Sequence, residues 1–373
     1  MSETPAAGRA PSDTTAPFLL LSDEGEQPFD AAALERQLQT MWKTRPQSTA
    51  FYRAALANLI VPLGGLDLDQ MAPVIAEVSR RHPARILRID PAPGTPADPA
   101  RLRARASALC HLREGGGGFV CSEMVVLEYT ETTAPLVPSA VRSLLIGDLP
   151  AVLLAMTPGP QPSWMEALVA VADLVIADSC VEEEPAALAA IWERTGRKGT
   201  PMRDLAWARL EPWRSALARL FDTPEASPAL TGLRDLTLAH GGAAPSSTVW
   251  LLAGWMASRL GWKLIRRDGT RWTFRSAGGP VQVTLQRDES VAAAVLLSAH
   301  VRAAGTHPLD ARIGHVAGED TARLELLAPR NDVRAIPFER RDLATAIVGE
   351  MQRRLPNPAF HDAARAARAM IEA

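Results

Sequence analysis

The stretch LANLIVPLGGLDLDQMAPVIAEVSRRHPARILRID, residues 56–90, decides the fold class. Two apolar runs, LANLIVPL and ARILRID, flank LDQMAPVIAEVSRR, whose apolar residues recur at helical spacing. A strand, a helix and a second strand in this order are typical of a βαβ unit with parallel strands. The same alternation continues through TAPLVPSAVRSLLI, AVLLAMT, PSWMEALVAVA, LVIADS and EPAALAAIWERTG. We therefore predict an N-terminal α/β domain, preceded by an amphipathic helix over FDAAALERQLQTMWKTR.

A hairpin interrupts this alternation. The strands ARASALCHLR and FVCSEMVVLEYT are separated by EGGGG, with no helix between them, so they are expected to pair in an antiparallel manner. Glycines permit the positive φ angles that a tight turn requires. The first sheet is therefore predicted to be mixed.

The composition changes after residue 200. The Trp- and Arg-rich block RDLAWARLEPWRSALARLFD is followed by a strand, a helix, an antiparallel meander from Trp262 to Pro329 and two closing helices. We predict a smaller α+β domain with an antiparallel sheet. The predicted boundaries are a disordered tail over 1–16, the α/β domain with its leading helix over 17–200, a Trp/Arg-rich helical connector over 201–230, and the second domain over 231–373.

Charge and hydropathy exclude several classes of partner. The chain has 373 residues and a formal net charge of −2, with both signs interspersed, whereas nucleic-acid binding needs a clustered basic face. No apolar stretch approaches the ~20 residues of a membrane span, and the N-terminal sequence does not resemble a secretory signal. We expect a cytoplasmic protein that binds neither nucleic acid nor membrane.

Enzyme motifs are missing at the positions where this fold would need them. A dinucleotide site requires a glycine-rich turn after the first strand, but Gly64 and Gly65 are followed by acidic residues and no third glycine. The sequence also lacks the GxxxxGK[ST], HExxH and GxSxG motifs. We predict no cofactor, no metal and no catalytic residue.

Three further features have alternative interpretations. Gly241, Gly242, Ser246 and Ser247 lie between a strand and a helix, where they form either an anion site or an ordinary helix cap, and the cap is favoured. Cys110 and Cys121 lie opposite each other in the predicted hairpin, with His111 on the other face. We expect two packed thiols there, with a reversible disulfide as the alternative.

The third feature is the Trp- and Arg-rich block. Trp207, Arg209, Trp213 and Arg214 belong to residue types that are common at protein–protein hot spots. Tryptophans of this spacing also fill junctions between domains, because their burial contributes a few kcal/mol each. We favour the core over the interface.

Several successive segments resemble one known family. ALCHLREGGGGFVCSEMV, GDLPAVLL, LVIADS, DLAWARLEPWRSALARLFD and STVWLLAGWMASRLGW are similar, in this order, to segments of the OpcA family of glucose-6-phosphate dehydrogenase assembly proteins. The resemblance runs from about residue 50 to the C-terminus. It implies a non-catalytic protein that binds glucose-6-phosphate dehydrogenase, promotes its assembly or acts as an allosteric activator, and so controls NADPH supply through the pentose phosphate pathway.

Two other functions remain open from the residues alone. The first is a sugar-phosphate or nucleotide-binding enzyme or sensor that uses the carboxyl edge of the first sheet, where Thr157, Asp178 and Ser179 follow predicted strands. The second is a redox-sensing adaptor that uses Cys110 and Cys121.

Overall fold

The computed structural model describes residues 19–22, 25–44, 49–92, 100–113, 115–156, 162–182, 184–195, 199–222, 224, 226–315, 319–328, 331–353 and 355–373. The predicted disordered tail over 1–16 lies outside these residues. The first part of the chain contains the following elements: β1 (Leu19–Ser22), β2 (Gln27–Pro28), α1 (Ala31–Thr44), β3 (Phe51–Arg53), β4 (Ala57–Pro62), α2 (Leu68–Arg81), β5 (Ala84–Pro91), β6 (Arg103–Leu112), β7 (Phe119–Tyr129), α3 (Val137–Leu144), β8 (Ala151–Ala155), α4 (Ser163–Val169), β9 (Leu174–Ala177), α5 (Pro185–Thr195) and β10 (Met202–Asp204).

These strands form one mixed sheet, as the sequence predicts. Its order is β1-β6-β7-β5-β4-β8-β9-β10, with β2 paired to β6 and β3 paired to β7. The strands from β7 to β10 in this order pair in parallel, whereas β6 pairs antiparallel with both β1 and β7. The hairpin is therefore the place where the sheet changes from parallel to antiparallel.

The second part of the chain contains α6 (Leu205–Arg209), α7 (Glu211–Leu220), β11 (Leu233–His240), α8 (Ser247–Arg259), β12 (Lys263–Asp268), β13 (Arg271–Ser276), β14 (Gly279–Arg287), β15 (Leu296–Ala303), β16 (Leu309–His315), β17 (Thr321–Ala328), β18 (Asp332–Pro337), α9 (Leu343–Gln352) and α10 (Pro358–Glu372). Its strands form a second sheet in the order β12-β13-β14-β11-β15-β16-β17-β18.

The second sheet differs from the predicted antiparallel meander at one place, because β11 pairs in parallel with β14. Helix α8 carries the chain from β11 back across the sheet to its far edge at β12. Three strands then return toward β11, so the third of them, β14, runs in the same direction as β11. The other neighbouring strands of this sheet are antiparallel.

Helices cover both faces of the first sheet. Leu34 and Leu38 of α1 pack on one face together with α3 and α4. Met71 and Ile75 of α2 pack on the other face. Ile347 of α9 joins that second face, although α9 follows the last strand of the second sheet. The C-terminal part of the chain thus contributes to the core of the first sheet, and the predicted domain boundaries remain a prediction.

A third core lies against one face of the second sheet. It combines the buried faces of α8 and α10 with the apolar residues of α5, α6 and α7. Because α5 belongs to the first part of the chain, this core also fills the junction between the two sheets.

Candidate functional site

The Trp- and Arg-rich segment forms α6 and α7 at this junction. Asp204 begins α6, and its carboxylate accepts a hydrogen bond from the Ala206 backbone amide at 2.9 Å. Trp207 and Trp213 are only 4% and 6% exposed. Trp207 packs against Phe360, with ring centroids 5.7 Å apart. These contacts support the core interpretation of both tryptophans.

Arg214 stacks on the Trp207 ring, with its guanidinium carbon 3.5 Å from the ring centroid. Its Nη1 is buried and makes no hydrogen bond with the described residues. Burial, together with the positive charges of Arg353 and Arg341, lowers the pKa of Arg214 to about 10. A cation in this position is tolerated in part because the ring face is electronegative.

Arg209 joins the helical segment to the carboxyl edge of the first sheet. Its Nη1 and Nη2 donate to the two carboxylate oxygens of Asp178 at 2.6 and 2.8 Å. The Asp178 side chain is 4% exposed and that of Arg209 is 29% exposed. Bidentate pairs of this kind are among the stronger charge-assisted contacts in proteins. The pair therefore fixes α6 against the end of β9.

Ser179 and Asp204 form a second contact beside this ion pair. The Ser179 hydroxyl donates to Asp204 at 2.6 Å, and Trp192 Nε1 donates to the same oxygen at 2.9 Å. Burial raises the pKa of Asp204 above its ordinary value, and these hydrogen bonds act in the opposite direction. Asp178 and Ser179, the candidates for a ligand site at this edge, are thus both engaged by the chain itself. Thr157 lies outside the described residues.

Cys180 extends the contact to the second sheet's helices. The hydroxyl of Ser247, in the first turn of α8, donates to Cys180 Sγ at 3.3 Å. The residue is half-buried, but its thiol is enclosed, and this burial raises its pKa to about 12. A thiol with so high a pKa is protonated at neutral pH and is a poor nucleophile. An ion pair and several hydrogen bonds thus connect α6, the end of β9 and α8, and we call this set of contacts the clamp.

The glycine turn before α8 has its amides occupied. Gly241 N donates to Val295 O at 3.0 Å, and Gly242 N donates to Val291 O at 2.9 Å. A Cβ at Gly241 would collide with a backbone oxygen of the facing segment, so this glycine permits close packing of two chain segments. Ser246 is the N-cap of α8. The two glycine amides are thus not available to an anion, whereas Ser246 makes no side-chain capping hydrogen bond in the described part of the chain, so both interpretations remain predictions.

The edge next to α2 is unsuited to a dinucleotide. Asp67 is the N-cap of α2, and its carboxylate accepts a hydrogen bond from the Asp69 amide at 2.9 Å. A pyrophosphate would need such amides and would meet the negative charges of both aspartates. Among the described residues, no group of three or more His, Cys, Asp or Glu side chains is arranged to hold a metal ion.

The cysteines of the hairpin differ from our expectation of two separate thiols. Cys110 and Cys121 are directly opposite in the β6–β7 register and are joined by a disulfide. Their Cα atoms are 4.0 Å apart, which is close enough for the sulfurs to meet. His111 lies on the other face of the sheet, as predicted, with its Nε2 2.7 Å from the Ser79 hydroxyl.

A buried ionic cluster under α1 is absent from the sequence predictions. The carboxylate of Glu123 accepts hydrogen bonds from Arg85 at 2.6 Å and from Trp42 Nε1 at 2.8 Å. Arg85 also pairs with Glu35 of α1, and Glu123 pairs with Arg53. Charged residues at core positions of the strands ARILRID and FVCSEMVV are the signal that would have indicated it. The cluster fixes α1 on the sheet.

Comparison with known proteins identifies the family. A profile described as "Glucose-6-phosphate dehydrogenase subunit N-terminal domain" matches residues 75–193, and the corresponding "C-terminal domain" profile matches residues 200–364. Both profiles describe OpcA. The chain belongs to the OpcA family.

This chain matches only part of the curated OpcA relatives. The chain is 31% identical to the "Putative OxPP cycle protein OpcA" of Nostoc punctiforme over 199 residues, which are 52% of this chain and 42% of that protein. It is 27% identical to the Synechococcus elongatus protein of the same name over 202 residues, 53% of this chain and 44% of that protein. The match thus spans less than half the length of either OpcA relative.

Solved structures resemble this OpcA-family chain only distantly. A dehydrogenase from Chromobacterium violaceum has a TM-score of 0.42 and 10% identity, covering 86% of this chain and 94% of that one. An NAD-binding oxidoreductase from Klebsiella pneumoniae has a TM-score of 0.44 and 9% identity, covering 85% and 96%. A likeness at this level carries no functional conclusion. In the described part of the OpcA-family chain, every helix is too short or too polar to cross a lipid bilayer.

Proposed function

We propose that this chain is a non-catalytic accessory protein that binds glucose-6-phosphate dehydrogenase and promotes its assembly or activation. The observation that carries the proposal is the match of two family profiles, both described as parts of a glucose-6-phosphate dehydrogenase subunit, to residues 75–193 and 200–364. In this role the protein acts in the cytoplasm and controls NADPH supply through the oxidative pentose phosphate pathway.

The residues of the junction support an accessory role over a ligand-binding one. Open α/β sheets commonly bind ligands at their carboxyl edge. Here Asp178 is paired with Arg209, and Ser179 is hydrogen-bonded to Asp204. A ligand at these groups would have to displace contacts that hold the two sheets together.

Activation requires that the chain's affinity differ between the active and inactive forms of the dehydrogenase. The protein must bind the active form of the dehydrogenase more tightly than the inactive form, because equal affinity for both would leave their populations unchanged.

The open face of the second sheet is the surface we assign to the dehydrogenase. A cross-strand row of half-buried or exposed side chains runs over it, namely Thr284, Thr237, His300, Arg312, Glu325 and Val333. Eight strands about 4.8 Å apart and about 20 Å long present roughly 700 Å². Each partner in a standard interface buries about 600–1,000 Å², a range that includes this area. The face is therefore large enough for a stable complex.

Size-exclusion chromatography and calorimetry with the dehydrogenase of the same organism test this proposal. We expect co-elution, and Arg312→Glu should weaken binding by about tenfold or more because it reverses an exposed charge on this face. Arg365→Glu is the matched control, since Arg365 is exposed on α10, which packs on the opposite face of the sheet. No co-elution of the unmodified chain would overturn the proposal, and equal effects of the two variants would overturn the assigned surface.

The disulfide favours a second function, a redox-sensing adaptor. The disulfide joins the antiparallel strands β6 and β7, and β6 also contacts α1 and α2, so reduction would remove a covalent link beside these helices. If this function holds, Cys110→Ser and Cys121→Ser change activation of the dehydrogenase under oxidising conditions and have no effect under reducing ones. Equal activation by the variants and the unmodified protein in both conditions would exclude it.

A further inference from the structure

The outer face of α7 forms one wall of a cavity that has no assigned role. The cavity has a volume of about 910 Å³ and lies between α7 and the strands β16, β17 and β18. Its floor is apolar and is formed by Leu220, Leu309, Leu324, Leu326 and Ile336. Ser215 and Arg219, on the exposed side of α7, stand at its mouth.

One end of the cavity carries more positive than negative charge. Arg341 and Glu211 line this end and form an ion pair at 2.8 Å. The buried guanidinium of Arg214 lies within electrostatic range of both. Behind them, Glu350 lies 3.8 Å from Arg203 and 3.3 Å from Arg353. Only Arg341 and Glu211 of these residues line the cavity, so Arg341 and the nearby Arg214 face one lining glutamate at this end.

The rest of the mouth adds little net charge. Arg334 pairs with Asp332 at 3.4 Å. Arg219 and Glu339 also line the cavity, and their charges offset each other. The positive end at Arg341 is therefore the place where a negatively charged group would be most stable.

Volume and lining together indicate the class of ligand. Pockets of about 300–1,000 Å³ with mainly apolar walls and a few converging polar groups are typical of small-molecule sites. Inorganic phosphate would leave the apolar floor empty, and a neutral hydrocarbon would leave the surplus arginine charge without a partner. We propose that this cavity binds a small organic anion, whose apolar body covers the leucine floor and whose anionic group pairs with Arg341 in place of Glu211.

Two fluorescent probes test the site on the full-length chain. The probe 8-anilinonaphthalene-1-sulfonate is an aromatic anion, and N-phenyl-1-naphthylamine is its uncharged analogue. The unmodified chain should bind the sulfonate saturably at one site. Ser215→Trp should abolish this binding because the indole fills the mouth. Ala218→Trp, on the same helix but outside the lining, should bind like the unmodified chain.

The contribution of the Arg341 charge to sulfonate binding is measured separately. Arg341→Gln should weaken binding of the sulfonate by about tenfold and leave binding of the uncharged analogue unchanged, because only the anion interacts with the arginine. This comparison is made between two probes on the same protein, so it stands even if Ser215→Trp fails to fold.

Three results would overturn the proposal. The first is sulfonate binding to Ser215→Trp, as a folded protein, with the affinity of the unmodified chain. The second is an equal effect of Arg341→Gln on both probes. The third is the absence of saturable sulfonate binding by the unmodified chain, which would show that the cavity takes no such anion.

Discussion

Asp178 carries its charge in a nearly buried position, and Arg209 is the residue that compensates it. The two side chains are 31 positions apart in the sequence and meet through two hydrogen bonds. Removal of one partner from a buried pair leaves the other charge without compensation, which commonly costs several kcal/mol. Partial exposure of Arg209 reduces this cost, because water can reach the site.

We expect Arg209→Ala to lower the free energy of unfolding by about 2–3 kcal/mol. Urea denaturation followed by circular dichroism measures this value. Arg219→Ala is the control, because Arg219 is exposed on the neighbouring helix and surface substitutions change stability by about 0.5 kcal/mol or less. Equal stability of the two variants would show that the pair does not fix α6 to the sheet.

The sequence identified the members of the junction but not their assembly. Asp178 and Ser179 were predicted because they follow a strand, Ser247 because it begins a helix, and Arg209 because it lies in the Trp-rich block. Each assignment depends on local pattern, whereas their contacts depend on how β9, α6 and α8 pack. No spacing in the sequence encodes this packing, so their separate candidate roles did not predict one common clamp.

At the scale of elements, the contact between α8 and α10 depends on a single glycine. A Cβ on Gly254 would collide with the backbone oxygen of Ala363 and would lie 2.8 Å from the amide nitrogen of Ala367. Gly349 in α9 offers the opposite case, because a Cβ there would meet only the end of the Arg341 side chain, at 3.8 Å.

These two glycines make a matched pair of substitutions. Gly254→Ala should lower the free energy of unfolding by about 1–3 kcal/mol, because the added methyl group forces the helices apart. Gly349→Ala should raise it by roughly 0.5–1 kcal/mol through higher helix propensity. Thermal and urea unfolding check both values. A stabilising effect of Gly254→Ala would contradict the close packing of α8 and α10.

Element type was more predictable than element placement. Helix α2 follows from periodicity, because its buried residues repeat at helical spacing. The strands β4 and β5 follow from short apolar runs that are buried on both faces, and α8 follows from a longer apolar run after a serine. The position of α9 on the first sheet does not follow from the periodicity of its sequence. An amphipathic helix requires an apolar surface, but its own sequence does not specify which of two nearby sheets provides it.

At the scale of the whole molecule, the position of α9 predicts that the first sheet needs the C-terminal part of the chain in order to fold. Ile347 of α9 is fully buried against that sheet, together with Ala344 and Val348. A fragment of residues 17–200 lacks both α9 and β10. It should unfold without a cooperative transition or aggregate, and co-expression with residues 201–373 should restore a soluble complex.

Calorimetry and analytical ultracentrifugation test whether the fragment of residues 17–200 folds on its own. A cooperative unfolding transition of the isolated fragment would mean that residues 17–200 form an independent domain. Ile347→Ala in the full chain provides the corresponding point substitution, with an expected loss of about 2–5 kcal/mol in the free energy of unfolding.

The central claim, an accessory role toward glucose-6-phosphate dehydrogenase, is tested most directly by the activity and oligomeric state of that enzyme. The purified dehydrogenase of the same organism is assayed for NADPH formation with and without this chain, and its oligomer size is measured in the same mixtures. We predict higher activity, or a larger share of the active oligomer, when the chain is present. Unchanged activity and unchanged oligomer size at saturating concentrations of the chain would contradict the claim.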